Sequence, residues 1–354
     1  MNSQWEEGIA RALEEKARRG LRARQGVRAA RTEDIFVRRG YIGPEDLVVV
    51  NYPKKRPLAA FNPGAVLWGE KILVFPRLIF DYYSYTSSIG VFEVDVETLL
   101  SGEIESPLET RIVLWPQEKW EAVRGCEDAR LSLVERGFQV LYTGVGMHEE
   151  GGEDVPKSVL AFAELDEGFT LRRKGYFSVA GETERLVPNN KDSALIEVRD
   201  QKAVMLTRPM GVGKSPDMCW RAEADLGELI ITMDSLQPIL VPEPWEYKVG
   251  WSTNTVRLSR GEFLVGWHGM LREDFSYRNG LALVDGEGRL LAVSDYLLVP
   301  QGLVEQYGDR SLVIFGNGLL LYRDILIWIG GVSDYCIGIF VAELEDVRSR
   351  LRRV

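Results

Sequence analysis

The chain has 354 residues, enough to bury roughly three quarters of its unfolded surface in one or two domains without disulfide support. A formal charge of -10 argues against nonspecific nucleic-acid binding by the chain as a whole, and no apolar run approaches the ~20 residues of a membrane span. Three cysteines without CxxC spacing point to a reducing cytoplasm rather than a disulfide framework or zinc site, and two histidines, His148 and His268, nearly exclude a multi-histidine metal site.

Residues 4–31 favour helix, with Trp5, Ile9, Leu13 and Ala17 on one face; eight Lys/Arg stand against four Asp/Glu in the first 31 residues. The expectation is a helical arm over residues 1–40, either clamped on the body or used for homo-oligomerisation. Beyond Gly40 the pattern becomes short runs of Val, Ile, Leu, Phe and Tyr separated by Gly, Asp and Asn, which reads as β-sheet.

Those strands repeat. NPGAVLWGEKILVFPR from Asn62, DARLSLVERGFQVLYTG from Asp128, DSALIEVRDQKAVMLTR from Asp192, NTVRLSRGEFLVGWHG from Asn254 and NGLLLYRDILIWIGG from Asn317 each open on Asn or Asp and run strand, turn, strand. Their first residues are 66, 64, 62 and 63 apart. Units of about 60 residues with about four strands each predict an all-β five-bladed β-propeller over residues 41–354; two separate β-sandwiches would not predict so even a spacing.

An antiparallel hairpin begins and ends at the same edge, so opening and closing residues of the five hairpins should meet at one rim. That rim gathers Arg77, Arg130, Lys191, Arg208, Lys248 and His268 around few acids, with Glu127 and Asp128 in the opening stretch of the second repeat. Cations in such a group imply a bound oxyanion or structural pairing with carboxylates. Trp245, Trp251 and Trp267, flanking Lys248 and His268, read either as core or as stacking surfaces for sugar rings. Cys126, beside the acids, reads as a small buried residue rather than a nucleophile. Glycoside cleavage ordinarily takes two carboxylates, but phosphate as nucleophile needs no general base, so one acid with a cationic cradle suffices.

The ordered set FNPGAV with Arg77, GCEDARLSL, NKDSALI followed by LTRP, YKVGWS, GWHGM with YRNGLALVD, and GDRSLVIFGNGLLLYRDILIWIGGVSD resembles glycoside hydrolase family 130 over residues 58–346. That family comprises β-mannoside phosphorylases with a five-bladed propeller. The resemblance implies that Asp128 is the proton donor, acting through a sugar hydroxyl, and that Lys191, Arg208, His268 and Tyr277 hold phosphate. It places Asn62, Arg77, Glu127, Lys248 and Asp334 around the mannosyl residue. Lys191 stands where the family commonly has Arg, keeping the charge without the bidentate fork. The implied reaction is inverting phosphorolysis of a β-mannoside to α-mannose 1-phosphate, with inorganic phosphate as co-substrate, no cofactor and no metal. Alternatives are an inverting hydrolase, with Glu127, Asp192 or Asp334 as base, and a non-catalytic sugar-binding propeller.

Overall fold

Alternation of apolar strands with Gly- and Asp-bearing turns gives each repeat an antiparallel meander, and the computed structural model describes residues 3–150, 152–182 and 184–354 of it. Side chains are described from residue 8, so the face expected for the Trp5 side chain lies outside what is described. Blade one comprises Ala59–Trp68, Lys71–Ile79, Ser87–Asp95 and Leu108–Leu114, flanked by Leu47–Val49 in parallel. Blade two is Gly125–Val134, Gly137–Glu150, Glu153–Leu165 and Leu171–Tyr176. In blade three, Asn190–Arg199, Lys202–Pro209 and Cys219–Asp225 are edged by Ile230–Thr232 and Gln237–Leu240. Blade four is Glu246–Ser259, Glu262–Leu271, Tyr277–Val284 and Leu290–Val293, with Arg352–Arg353 added outside.

Blade five contains Ile314–Tyr322, Ile325–Val332 and Cys336–Glu343, and takes its outer strand, Val37–Ile42, from the other end of the chain. That strand straddles the boundary expected after residue 40: the sheet takes in the last residues of the expected helical arm, whose partner strand lies about 300 residues away. The inner strands pack side by side in a ring, with the fifth returning to the first, so the fold is a five-bladed propeller.

Apolar layers fill the wedges between blades. Phe75, Leu131, Phe138 and Val140 pack blades one and two together, and Ile72, Ile327, Ile329 and Ile339 pack blades five and one. Because each blade is covered on both faces, its inner strands are apolar almost throughout instead of alternating. The N-terminal helix, Ser3–Arg24, lies against blade three: Ile9, Leu13 and Ala17 are buried there, and Lys16 Nζ donates to the carbonyls of Met233 and Leu236 at 2.8 and 3.1 Å. Among the described residues no helix is long and apolar enough to cross a membrane.

Candidate active site

The Asn or Asp that opens each repeat lies at a break in register. The pairing of inner and second strands shifts between Phe61 and Gly64, Glu127 and Arg130, Lys191 and Ala194, Trp251 and Thr255, and Gly316 and Gly318. Each inner strand therefore carries a β-bulge at the same level, which bends the strand and re-aims a side chain. Asn62, Asp128 and Asp192 take left-handed backbone there, with φ of 44°, 56° and 51°, a conformation Asn and Asp tolerate better than most residues.

The bulge residues do two jobs. Asn254 exchanges hydrogen bonds with the backbone of Leu319, and Asn317 Nδ2 donates to the carbonyl of Asn62 at 3.0 Å, so these two staple blades four to five and five to one. Asn62, Asp128 and Asp192 instead line a cavity of about 760 Å³ at the channel mouth. The ten residues that the family resemblance assigns to the site line it: Asn62 and Arg77 from blade one, Glu127 and Asp128 from two, Lys191 and Arg208 from three, Lys248, His268 and Tyr277 from four, and Asp334 from five. Arg130, expected at the same rim, does not line it and is buried against Asp192 and the Ser252 carbonyl.

Asp128 is buried apart from this opening, and its Oδ1 accepts from Asn62 Nδ2 at 3.0 Å and Arg77 Nη1 at 3.4 Å. Among the described residues no hydrogen bond reaches Oδ2. Glu127 is fully committed: Oε1 accepts from Arg77 Nη2 at 2.9 Å and Oε2 from Lys191 Nζ at 3.2 Å. Burial pushes its carboxyl up, but Arg77 and Lys191 outweigh that and hold it below the usual range. Arg77 is fixed further by its Nε bond to Ser87 Oγ at 2.8 Å.

Asp192 organises the other half of the cavity. Arg208 Nε lies 2.7 Å from Oδ2, at an angle poor for a hydrogen bond, and Arg130 Nη2 donates to Oδ1 at 3.3 Å. Burial opposes ionisation of Asp192, yet the two guanidiniums hold its carboxyl well below the usual range. Arg208 is shared with Asp217, whose Oδ2 accepts from Nη1 at 3.0 Å. Lys248 has no carboxylate partner among the described residues; its Nζ lies 5.4 Å above the Tyr277 ring.

Two expectations need correction. The rim is not short of acids: the cavity is lined by six cationic side chains (Arg77, Arg124, Lys191, Arg208, Lys248, Arg310) and five carboxylates (Glu127, Asp128, Asp192, Asp309, Asp334). Nor is His268 one of the cations. It is buried, stacked on Tyr277 at 5.0 Å and edge-on to Phe315, and burial, then Arg208, Lys248 and Arg130, drive its pKa well below normal despite Asp192. Its Nδ1 pairs with Ser252 Oγ at 3.1 Å and its Nε2 has no hydrogen-bond partner among the described residues, leaving one neutral donor or acceptor at the cavity.

The tryptophans do not line the cavity. Trp251 and Trp267 face each other across the paired strands, fully buried, with Trp251 Nε1 donating to the Trp220 carbonyl and Arg28 stacked over Trp267. Trp267 adjoins His268, and neighbours along a strand point to opposite faces. Trp245 donates to Tyr296 OH at 2.9 Å instead. The aromatics at the cavity are Tyr82, Tyr83, Tyr85, Tyr277 and Phe315. Tyr82–Tyr85, Arg124 and Asp309–Arg310 lie in connections outside the repeated hairpins; three tyrosines within DYYSY signalled the first, and Asp309–Arg310 stand in the GDRSL start of the last motif of the resemblance. Among the described residues no group of three or more His, Cys, Asp or Glu could hold a metal ion.

The family model described as β-1,4-mannooligosaccharide phosphorylase matches residues 27–353. The chain belongs to glycoside hydrolase family 130. By class this family-130 chain is therefore a glycoside phosphorylase. Among curated relatives, a β-1,2-mannobiose phosphorylase of Thermoanaerobacter sp. (strain X514) is 26% identical over 306 residues, covering 82% of this chain and 92% of the relative. A 1,2-β-oligomannan phosphorylase of the same organism is 26% identical over 274 residues, covering 75% and 82%. The β-1,2-mannobiose phosphorylase of Listeria innocua, solved with β-1,2-mannobiose, superposes with a TM-score of 0.66 at 18% identity, over 87% of this chain and 96% of that one. A mannose phosphorylase from Leishmania mexicana, solved with phosphate, gives 0.56 at 12% identity, over 96% and 95%. In this family-130 propeller every blade contributes to one polar cavity, and its ion pairs leave Asp128 Oδ2, Lys248 Nζ and the Tyr277 hydroxyl without protein hydrogen-bond partners among the described residues.

Proposed function

We propose that the chain phosphorolyses a β-mannoside with inversion. A phosphate oxygen attacks the anomeric carbon, the bond to the leaving sugar oxygen breaks, and the Asp128 carboxyl supplies the proton that oxygen needs. The products are α-mannose 1-phosphate and a mannoside shorter by one residue. Lys191, Arg208, His268 and Tyr277 serve as donors to the phosphate, and Lys248, expected beside the mannosyl residue, joins them because its Nζ lies over the Tyr277 ring; Asn62, Arg77, Glu127 and Asp334 surround the mannosyl residue. The observation that carries this reading is the division of the cavity: an acid with one oxygen unengaged on the side of blades one and two, and Arg208, Lys248 and Tyr277 on the side of blades three and four. Both curated relatives carry β-1,2 in their names, which makes β-1,2-mannobiose the first substrate to test. Three buried cysteines, all free, fit work in a reducing cytoplasm.

Hydrolysis is the second reading, and one residue favours it. Glu127 and Asp192 are locked in ion pairs, but Asp334 has Arg310 Nε at 3.6 Å as its one ion contact among the described residues. Burial, reinforced by Asp128 and Asp309, pushes its carboxyl up to about 6 against the pull of Arg77 and Arg310, basic enough to take a proton from water.

Incubation with β-1,2- and β-1,4-mannobiose, with and without phosphate, separates the readings. Mannose 1-phosphate is expected only with phosphate; free mannose released equally without it would replace phosphorolysis by hydrolysis. Asp128→Asn, which removes the proton at nearly constant volume, should lower kcat by at least about 10²–10⁴-fold without loss of fold by circular dichroism. Near-normal turnover in that variant would exclude Asp128 as the donor.

A further inference from the structure

The cavity continues outward onto a lip that the reaction itself does not use. Residues 80–86 connect the second and third strands of blade one, and Tyr82, Tyr83 and Tyr85 line the same cavity as Asp128. This lip is built, not slack. Asp81 accepts from the Tyr83 amide at 2.9 Å and the Ser84 hydroxyl at 2.7 Å, and the Tyr85 amide donates to the Asp81 carbonyl at 3.0 Å. Tyr85 OH donates to Asp309 Oδ2 at 2.9 Å, tying the lip to the connection that precedes blade five. Held in this way, the loop presents Tyr83 wholly to solvent, at 102% exposure, and Tyr82 at 49%. Beside them the exposed Arg124 guanidinium lies 6.0 Å over the Tyr85 ring and is in no ion pair among the described residues.

We propose that Tyr82 and Tyr83 form the platform on which the departing part of the mannoside chain stacks, with Arg124 donating to its hydroxyls. This rests on the mannoside reading above. The occupant follows from continuity: the mannosyl residue enclosed near Asp128 must send its reducing-end neighbours out through the opening, and these rings stand at that opening. A tyrosine offers a flat apolar face to the C–H side of a pyranose and a hydroxyl at its edge, with only two torsions to freeze. The lip is thus a determinant of chain length, separate from the groups that break the bond.

The test is steady-state kinetics of wild type, Tyr83→Ala, Tyr83→Phe and the double variant Tyr82→Ala/Tyr83→Ala on mannobiose, mannotriose and mannotetraose. Removing each ring should raise KM for the oligosaccharides roughly 2- to 10-fold, with kcat and KM for phosphate within about twofold of wild type. Tyr83→Phe should keep most of the affinity. Unchanged oligosaccharide KM in the double variant overturns the proposal. So does an altered sedimentation profile with unchanged KM, which would assign the lip to contact between copies of the chain. If wild type cleaves no mannoside at all, the functional reading fails and this proposal with it, and the wild-type control distinguishes that case.

Discussion

Asp334 sits in left-handed backbone, at φ 51°, with Arg77, Arg310, Asp128 and Asp309 as its charged neighbours. Its folded pKa of about 6 exceeds the ~3.9 of an unfolded aspartate, so the folded state binds the extra proton between those values. The stability this group contributes is therefore present below about pH 4 and lost as pH rises through about 6. At ~1.36 kcal/mol per pK unit the loss is about 2–3 kcal/mol. Asp334→Asn should stabilise the protein by about 2 kcal/mol more at pH 8 than at pH 4, measured by urea unfolding; equal effects at both would show that the carboxyl is not raised. Arg208 behaves oppositely, being buried and shared by Asp192 and Asp217. Arg208→Ala leaves Asp192 with Arg130 as its remaining ion pair, and stability should fall by about 3–5 kcal/mol. The lost charge-assisted contact, about 1.5–3 kcal/mol, should also raise the KM for phosphate roughly 10- to 150-fold. A variant with wild-type stability would mean that Asp192 does not depend on Arg208.

At the level of elements, the strand Val37–Ile42 and the helix Ser3–Arg24 make distinguishable contributions. The helix covers blade three with Ile9, Leu13 and Ala17, while the strand completes blade five by pairing with Cys336–Glu343. Deleting residues 1–24 removes Ile9 and Leu13, the two large buried side chains of the helix among the described residues, about 3–6 kcal/mol by burial, and should lower the thermal midpoint while leaving a folded ring. Deleting residues 1–42 also strips the edge of blade five and should give aggregated protein; a soluble, cooperative unfolder would show that the ring closes without this strand. The five inner hairpins are legible in the sequence because each keeps a whole repeat of local pattern. The closing strand is not, since VRRGYI owes its place to a partner about 300 residues distant. The same distinction divides the site. Asp128 and Arg208 are found from repeat position, whereas Tyr83 and Arg124 lie in connections with no repeat to align them. The tryptophans mislead for a local reason: proximity to His268 in sequence places Trp267 on the opposite face of the strand. The Asn and Asp openings are visible as composition, but their meaning as bulges appears only once the partner strands fix the register.

For the molecule as a whole, the site exists only while the ring is closed. Asn62 of blade one holds Asp128 of two, Arg130 of two holds Asp192 of three, and Arg130 Nε reaches the Ser252 carbonyl of four at 3.0 Å. Asn317 of five returns to Asn62 of one. A ligand that engages donors from blades three and four therefore binds the assembled ring and not the unfolded chain, and must stabilise it by linkage. At 100 times its Kd, phosphate should add about 2.7 kcal/mol, a rise of several degrees in the midpoint. Chloride at equal ionic strength should do less, because a monovalent sphere cannot satisfy donors spread over Lys191, Arg208, Lys248 and Tyr277. Lys248→Met removes the one lysine at the cavity without a carboxylate partner among the described residues, and so should erase much of the phosphate effect while costing little stability in its absence. If phosphate moved the midpoint no more than chloride does, Arg208 would serve only as the structural partner of Asp192 and Asp217 and Lys191 only as that of Glu127, and the hydrolytic reading through Asp334 would take precedence.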